Sequence, residues 1–154
     1  MSVFSLENAA FVSLLKYGSV VLVKLVAMSP ITIMYRKIHK SVASEEDAKM
    51  AQPNDYERQK KLMAKNTEVE RARSAHLNDL ENIVPFFLTA MLYITIKPDA
   101  STADLLFKIF AGSRILHTIV YLGKVPQPSR ALCFLGGISV NCYMLFQIMN
   151  AVFL

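Results

Sequence analysis

Hydrophobic positions gather into four long stretches along the chain, and polar positions fill the segments between them. The clearest stretch runs from Ala131 to Leu154, 24 consecutive residues without a charge. At about 1.5 Å per residue it exceeds the roughly 30 Å of hydrocarbon in a bilayer. Three others precede it. The first is broken by Lys16 and Lys24, the second carries a crowded polar start that runs into Ile83 to Ile96, and the third is broken by Lys108 and Arg114. Barrel strands would alternate with a period of two, which these stretches do not, and backbone amides cannot go unpaired in lipid. The pattern therefore predicts helices over about 8–35, 72–96, 101–122 and 129–152, in one membrane domain covering 1–154, with a polar loop over about 36–70.

The connections carry their own signals. In the long loop, Ser44 followed by Glu45, Glu46 and Asp47 predicts a short capped helix as far as Met50, and Pro53-Asn54-Asp55 predicts a turn. Otherwise the loop reads as a solvated connector and is assigned no chemistry. The second connection, from Lys97 to Thr102, is a tight turn in which Ser101 or Thr102 is expected to cap the third long helix. The third contains Pro126 and Pro128, which stop one helix before the next begins and hold Arg130 in a fixed place.

Composition supports a membrane protein: 53% of residues are hydrophobic, with a mean hydropathy of +0.34, although 19% are charged. Of 17 Lys and Arg, ten lie between Arg36 and Arg73. The positive-inside rule then puts the first and third connections in the cytosol and both termini on the opposite side. The net charge of +5 lies mostly at that one surface. With no aromatic-interleaved basic stripe, it does not point to nucleic acid. The N-terminus has no basic segment or cleavage site ahead of the first span and is expected to be retained as a helix. Cys133 and Cys142, nine residues apart on one helix, face opposite ways and cannot bridge.

The crowded start of the second long helix holds the candidate chemistry. At about 100° per residue, Arg71, Ser74, Asn78, Glu81 and Asn82 fall on one side, Arg73 and His76 on roughly the other, and Asp79 between them. No orientation toward lipid hides all of these, so protein or water is expected to enclose them, and an oligomer with the site near subunit contacts meets that need. Arg114, His117 and Tyr121 form a stripe on the third long helix. With Arg36, Arg73, His76, Glu81 and Arg130 at the same membrane surface, Arg114 and Tyr121 make a basic pocket suited to a small polyanion that also carries an ammonium. Arg114 and Glu81 also lie deep enough to form a purely structural ion pair. Lys24 needs a partner that sequence does not name. Lys16, Lys108 and Lys124 read as cations that snorkel to headgroups. No HExxH, CxxC or GxSxG pattern is present, so neither a metal site nor a serine nucleophile is expected.

The run from Val69 to Phe86, followed by Arg114-Ile-Leu-His117-Thr-Ile-Val-Tyr121 and Pro126-Gln-Pro128-Ser-Arg130-Ala131, closely resembles the glutathione transferases of the MAPEG superfamily, membrane-associated proteins of eicosanoid and glutathione metabolism. The resemblance extends from Lys24 and Tyr35-Arg36 into the fourth long helix. It implies an all-α membrane protein, a four-transmembrane-helix bundle assembled as a homotrimer, with glutathione held between neighbours near the cytosolic face. On the matching positions it implies glutathione contacts from Arg36, Arg73, Ser74, His76, Asn78, Glu81, Arg114 and Tyr121. It assigns the catalytic work on the sulfur to Arg130, helped by Tyr121. Several arginines and one carboxylate suit a peptide with two carboxylates and one ammonium, since Arg pairs bidentately. Ser74 departs from the pattern, because this branch usually carries arginine there.

The same resemblance implies glutathione as co-substrate without a metal, hydrophobic electrophiles and lipid hydroperoxides as second substrates, and transferase with peroxidase activity. It also implies a multi-pass protein of the endoplasmic reticulum membrane, with the outer mitochondrial membrane as a second address. Two other readings remain open at this point: an isomerase similar to prostaglandin E synthase, and a non-catalytic lipid-binding scaffold of the same superfamily.

Overall fold

The computed structural model describes residues 2–154 as six helices, with no strand among the described residues. In chain order they are α1 (Ala9–Ile38), α2 (Glu45–Ala51), α3 (Tyr56–Met63), α4 (Thr67–Thr95), α5 (Ala100–Leu122) and α6 (Ser129–Phe153). The four long helices form a bundle in which α4 and α5 each pack on both α1 and α6 and touch one another, while α1 and α6 occupy opposite corners. By length and composition α1, α5 and α6 are apolar enough to cross a membrane. The equally long α4 carries too many charges in its first half to meet that criterion.

Capping side chains explain the boundaries. Asn8 accepts from the Ala10 amide at 3.1 Å, Ser44 from Asp47 at 3.2 Å, Asp55 from Arg58 at 3.0 Å, and Asn66 from Glu68 and Val69 at 3.0 and 3.2 Å. Each satisfies amides that the helix itself leaves free. The helix expected at Ser44 and the turn at Pro53 are present. The loop is nevertheless shorter than expected, because Asn66 with Glu68 and Glu70 in the first turn starts α4 at Thr67. It also contains α3, which hydropathy did not reveal. The expected cap of α5 is corrected: Asp99 is the N-cap, accepting from the Thr102 amide at 2.8 Å, and the hydroxyls of Ser101 and Thr102 donate to the same carboxylate.

The core lies between α1, α4, α5 and α6, the last contributing Val140 and Met144. Phe86 stacks on Phe110 with ring centroids 3.7 Å apart and meets Phe107 edge-on at 5.8 Å, the latter an arrangement favoured by the ring quadrupoles. Small residues let the helices approach, among them Ala10, Ala90, Ala103 and Ala111, all buried, as is common where lipid supplies no hydrophobic drive between helices. Long apolar side chains instead face outward: Val23, Val26, Leu88, Leu116 and Phe146 are all more than half exposed in the single chain. Such a surface suits lipid or further copies.

Candidate functional site

Near the middle of the bundle, α1 and α4 meet through charge. Lys24 forms an ion pair with Asp79, whose side chain is fully buried, and this names the partner that sequence left open. The Thr118 hydroxyl lies at hydrogen-bond range of the other Asp79 oxygen, 3.5 Å. The neighbouring Arg114, also fully buried, donates to Asn78 Oδ1 and to the Cys133 carbonyl, each at 3.2 Å. Asn82 donates from Nδ2 to the Asn78 carbonyl at 2.7 Å. Asn78 is thus fixed at both its backbone and its side chain. Buried charges persist only when paired and hydrogen-bonded.

The possible pair between Arg114 and Glu81 is not formed. Glu81 is exposed on the outer side of α4, whereas Arg114 reaches the inner side that carries Asn78. Glu81 makes no ion pair or side-chain hydrogen bond among the described residues.

Gly137 makes room for this arrangement. A Cβ there would lie 3.1 Å from Ser113 Oγ, 3.2 Å from Arg114 Nε and 3.3 Å from Arg114 Nη2. Gly137→Ala is therefore expected to push the guanidinium off Asn78 and Cys133 and to destabilise the protein by about 1–3 kcal/mol, the usual cost of overpacking. Thermal unfolding in detergent measures this. An unchanged melting temperature would show that Arg114 is not tightly held.

Along α5, the His117 and Tyr121 rings lie 5.5 Å apart, and Arg130 at the start of α6 stacks over the Tyr121 face, its Cζ 4.8 Å from the ring centre. Arg130 Nε and His117 Nδ1 have no hydrogen-bond partner among the described residues. The stack fixes the orientation of the Arg130 cation. Close by, Lys124 and Glu68 pair at 2.7 Å and tie the α5–α6 turn to the start of α4. The Lys124 ammonium, by hydrogen bond and charge, holds the Glu68 carboxyl below its ordinary range.

A second group lies on another side of α4. Arg36 of α1 and Arg73, Ser74 and His76 of α4 line an open cleft of about 410 Å³ between the two helices, with Leu77 and Leu80 as its apolar wall. Glu70, also at this cleft, accepts from Arg73 Nη1 at 2.8 Å. The expected division of the α4 circumference is corrected here. Ser74 shares a cleft with Arg73 and His76 instead of facing away from them, and Asn82 turns inward beside Asp79. Packing on α1 and α6 buries the strip through Ala72, Ala75, Asp79 and Phe86, so everything opposite that strip falls on one open face.

Within one chain the expected site residues thus form two groups: Arg36, Arg73, Ser74 and His76 in the α1–α4 cleft, and Asn78, Arg114, Tyr121 and Arg130 toward α5 and α6. Glu81 joins neither. Sequence reasoning missed Asp79 as the partner of Lys24 and Glu70 as the partner of Arg73. The need of a mid-span lysine for an acid at equal depth was the signal for the first, and i,i+3 spacing for the second. Among the described residues, no group of three or more His, Cys, Asp or Glu is placed to hold a metal ion.

The sequence model of the MAPEG family matches residues 14–150. The chain is 42% identical to microsomal glutathione S-transferase 1 of Sus scrofa over 146 residues, 95% of this chain and 93% of that one. It is 40% identical to the protein of that name from Homo sapiens, with the same coverage. Prostaglandin E synthase of Equus caballus is 31% identical over 133 residues, 86% of this chain and 83% of that one.

Proposed function

Because the chain belongs to the MAPEG family, we propose that it is a membrane-bound glutathione transferase, joining the thiolate of glutathione to hydrophobic electrophiles. The observation that carries this reading is the Arg130 guanidinium stacked on Tyr121, together with 42% identity to a glutathione transferase along nearly the whole chain. Identity of 31% to a prostaglandin E synthase makes the isomerase the weaker alternative.

Thiolate, not thiol, is the nucleophile, and a free thiol with a pKa of about 8.5 is mostly protonated at neutral pH. A cation at the sulfur favours the charged form; Arg130 supplies it, and the Tyr121 hydroxyl donates a hydrogen bond. The sulfur then attacks an electrophilic carbon, a C–S bond forms and the leaving group departs with its electron pair. With a lipid hydroperoxide, attack on the terminal oxygen breaks the O–O bond and yields the alcohol and a sulfenic acid. A second glutathione converts the sulfenic acid to disulfide and water.

In this reading α1, α4, α5 and α6 all span the membrane as the single domain 1–154, most naturally in the endoplasmic reticulum, with the α2–α3 loop in the cytosol. The protein is a homotrimer. Support for the trimer is the open face of α4, where Leu77, Leu80, Val84 and Leu88 are exposed beside the charged Arg73 and Glu81. Lipid alone is a poor neighbour for those charges. An adjoining subunit would set its Arg36, Arg73 and His76 against the Asn78, Tyr121 and Arg130 of the next, and glutathione would bridge the two groups.

Ser74 leaves this pocket one cation short. Ser74→Arg adds a charge-assisted hydrogen bond worth about 1.5–3 kcal/mol to the peptide carboxylates. Part of this is lost to repulsion from Arg36 and Arg73, so KM for glutathione is expected to fall roughly tenfold. A steady-state titration of glutathione checks this; a raised KM would place the carboxylates elsewhere. Conjugation of a chlorinated nitrobenzene by the purified protein tests the function itself.

A further inference from the structure

Beside the α1–α4 cleft, and sharing Arg36 and Ile33 with it, lies a second cleft of about 540 Å³, where the end of α1 meets the α2–α3 loop. Its form is fixed by backbone ties. Arg36 Nη1 donates to the Val42 carbonyl at 2.9 Å, the Ser41 amide to the Arg36 carbonyl at 2.9 Å, and the Val42 amide to the Leu62 carbonyl at 3.1 Å. Lys40 adopts a left-handed backbone (φ 49°) where the chain leaves α1. The rim carries Arg36, Lys37 and Lys40 against one carboxylate, Asp47. Lys37 and Lys40 form no ion pair among the described residues.

The walls are apolar and open: Ile33 is 52% exposed and Met50 80%. Ile33 continues down α1 into a row of exposed apolar residues, including Val26 and Val23. From Val12 to Met34, the outward apolar residues of α1 span about 33 Å at 1.5 Å per residue, close to the hydrocarbon thickness. That places Arg36 to Lys40 at the depth of the headgroups. A cationic rim at headgroup depth, directly above an apolar track running into the membrane, matches a molecule with an anionic head and an apolar chain.

We infer that this cleft binds an acidic phospholipid of the cytosolic leaflet, its phosphate between Lys37 and Lys40 and an acyl chain along Ile33 and α1. Lysines at a membrane surface attract acidic lipids even without a cleft, so the test separates a shaped site from diffuse attraction. The full chain is reconstituted in phosphatidylcholine vesicles containing a trace of spin-labelled phosphatidylserine. The motionally restricted fraction then gives its association constant relative to labelled phosphatidylcholine.

At roughly fivefold for each basic residue near the surface, the double variant K37Q/K40Q is expected to lower the phosphatidylserine preference about 25-fold. The double variant K60Q/K65Q, whose lysines lie outside the cleft, should leave it within about twofold. Equal losses in the two variants would overturn the site in favour of diffuse attraction. A stronger preference for labelled stearate than for phosphatidylserine would overturn the phospholipid as its occupant. Neither readout needs glutathione or turnover, so a failure here is distinct from a failure of the transferase reading.

Discussion

Arg130→Ala is expected to convert bound glutathione from mostly thiolate to mostly thiol. If Arg130 lowers the thiol pKa by about two units, it contributes about 2.7 kcal/mol to the charged form. At pH 7 the thiolate fraction then falls from roughly three-quarters to about 3% when the cation is removed. Conjugation should slow by about the same factor, roughly twentyfold, while glutathione affinity changes much less, because Arg36, Arg73 and His76 lie on other elements. Ultraviolet absorbance of the bound thiolate measures the first effect and equilibrium binding the second. An unchanged thiolate yield would remove Arg130 from this role. Arg130→Lys keeps the charge but loses the flat stack on Tyr121, so a partial yield is expected.

The second large effect concerns the buried pair. Asp79→Ala leaves Lys24 charged inside the bundle, with its side chain only 13% exposed. Breaking such a pair by removing one partner costs about 3–5 kcal/mol. Replacing both, Lys24→Met with Asp79→Leu, removes the unpaired charge and should recover most of that loss. A double-mutant cycle by denaturant unfolding in detergent micelles measures the coupling; additive losses would mean that the two side chains do not depend on each other. Because Asn78 is adjacent to Asp79 and is held by Arg114 at 3.2 Å, Asp79→Ala should also raise KM for glutathione.

The long helices were legible because lipid imposes a simple rule: an unbroken apolar run such as Ala131 to Leu154 has few other forms. The capped helix at Ser44 was legible for a local reason, since cap and acidic first turn adjoin in sequence. The α5 cap is not legible in sequence because Asp99, Ser101 and Thr102 are all suitable cappers, and only the chain direction after Pro98 decides which carboxylate or hydroxyl faces the free amides. The angular positions on α4 were known in advance, but which of them is buried is set by where α1 and α6 pack. Ser74 and Asn82 therefore share a side in the sequence pattern and lie apart in the bundle. Lys24 announced its need for a partner, and only the fold could choose Asp79 over Glu81. The distribution of site residues over two sides of α4 could not be read from one sequence either, because it depends on which surfaces the bundle leaves open.

The central claim is that this chain generates glutathione thiolate and passes it to an apolar electrophile. It is tested most directly on the purified full chain in lipid vesicles, saturated with glutathione, by recording thiolate absorbance and conjugation of a chlorinated nitrobenzene on one sample. The account predicts that both signals are present and that both fall together in Arg130→Ala. Glutathione bound by the wild-type protein with no conjugate formed would contradict it and favour a binding scaffold.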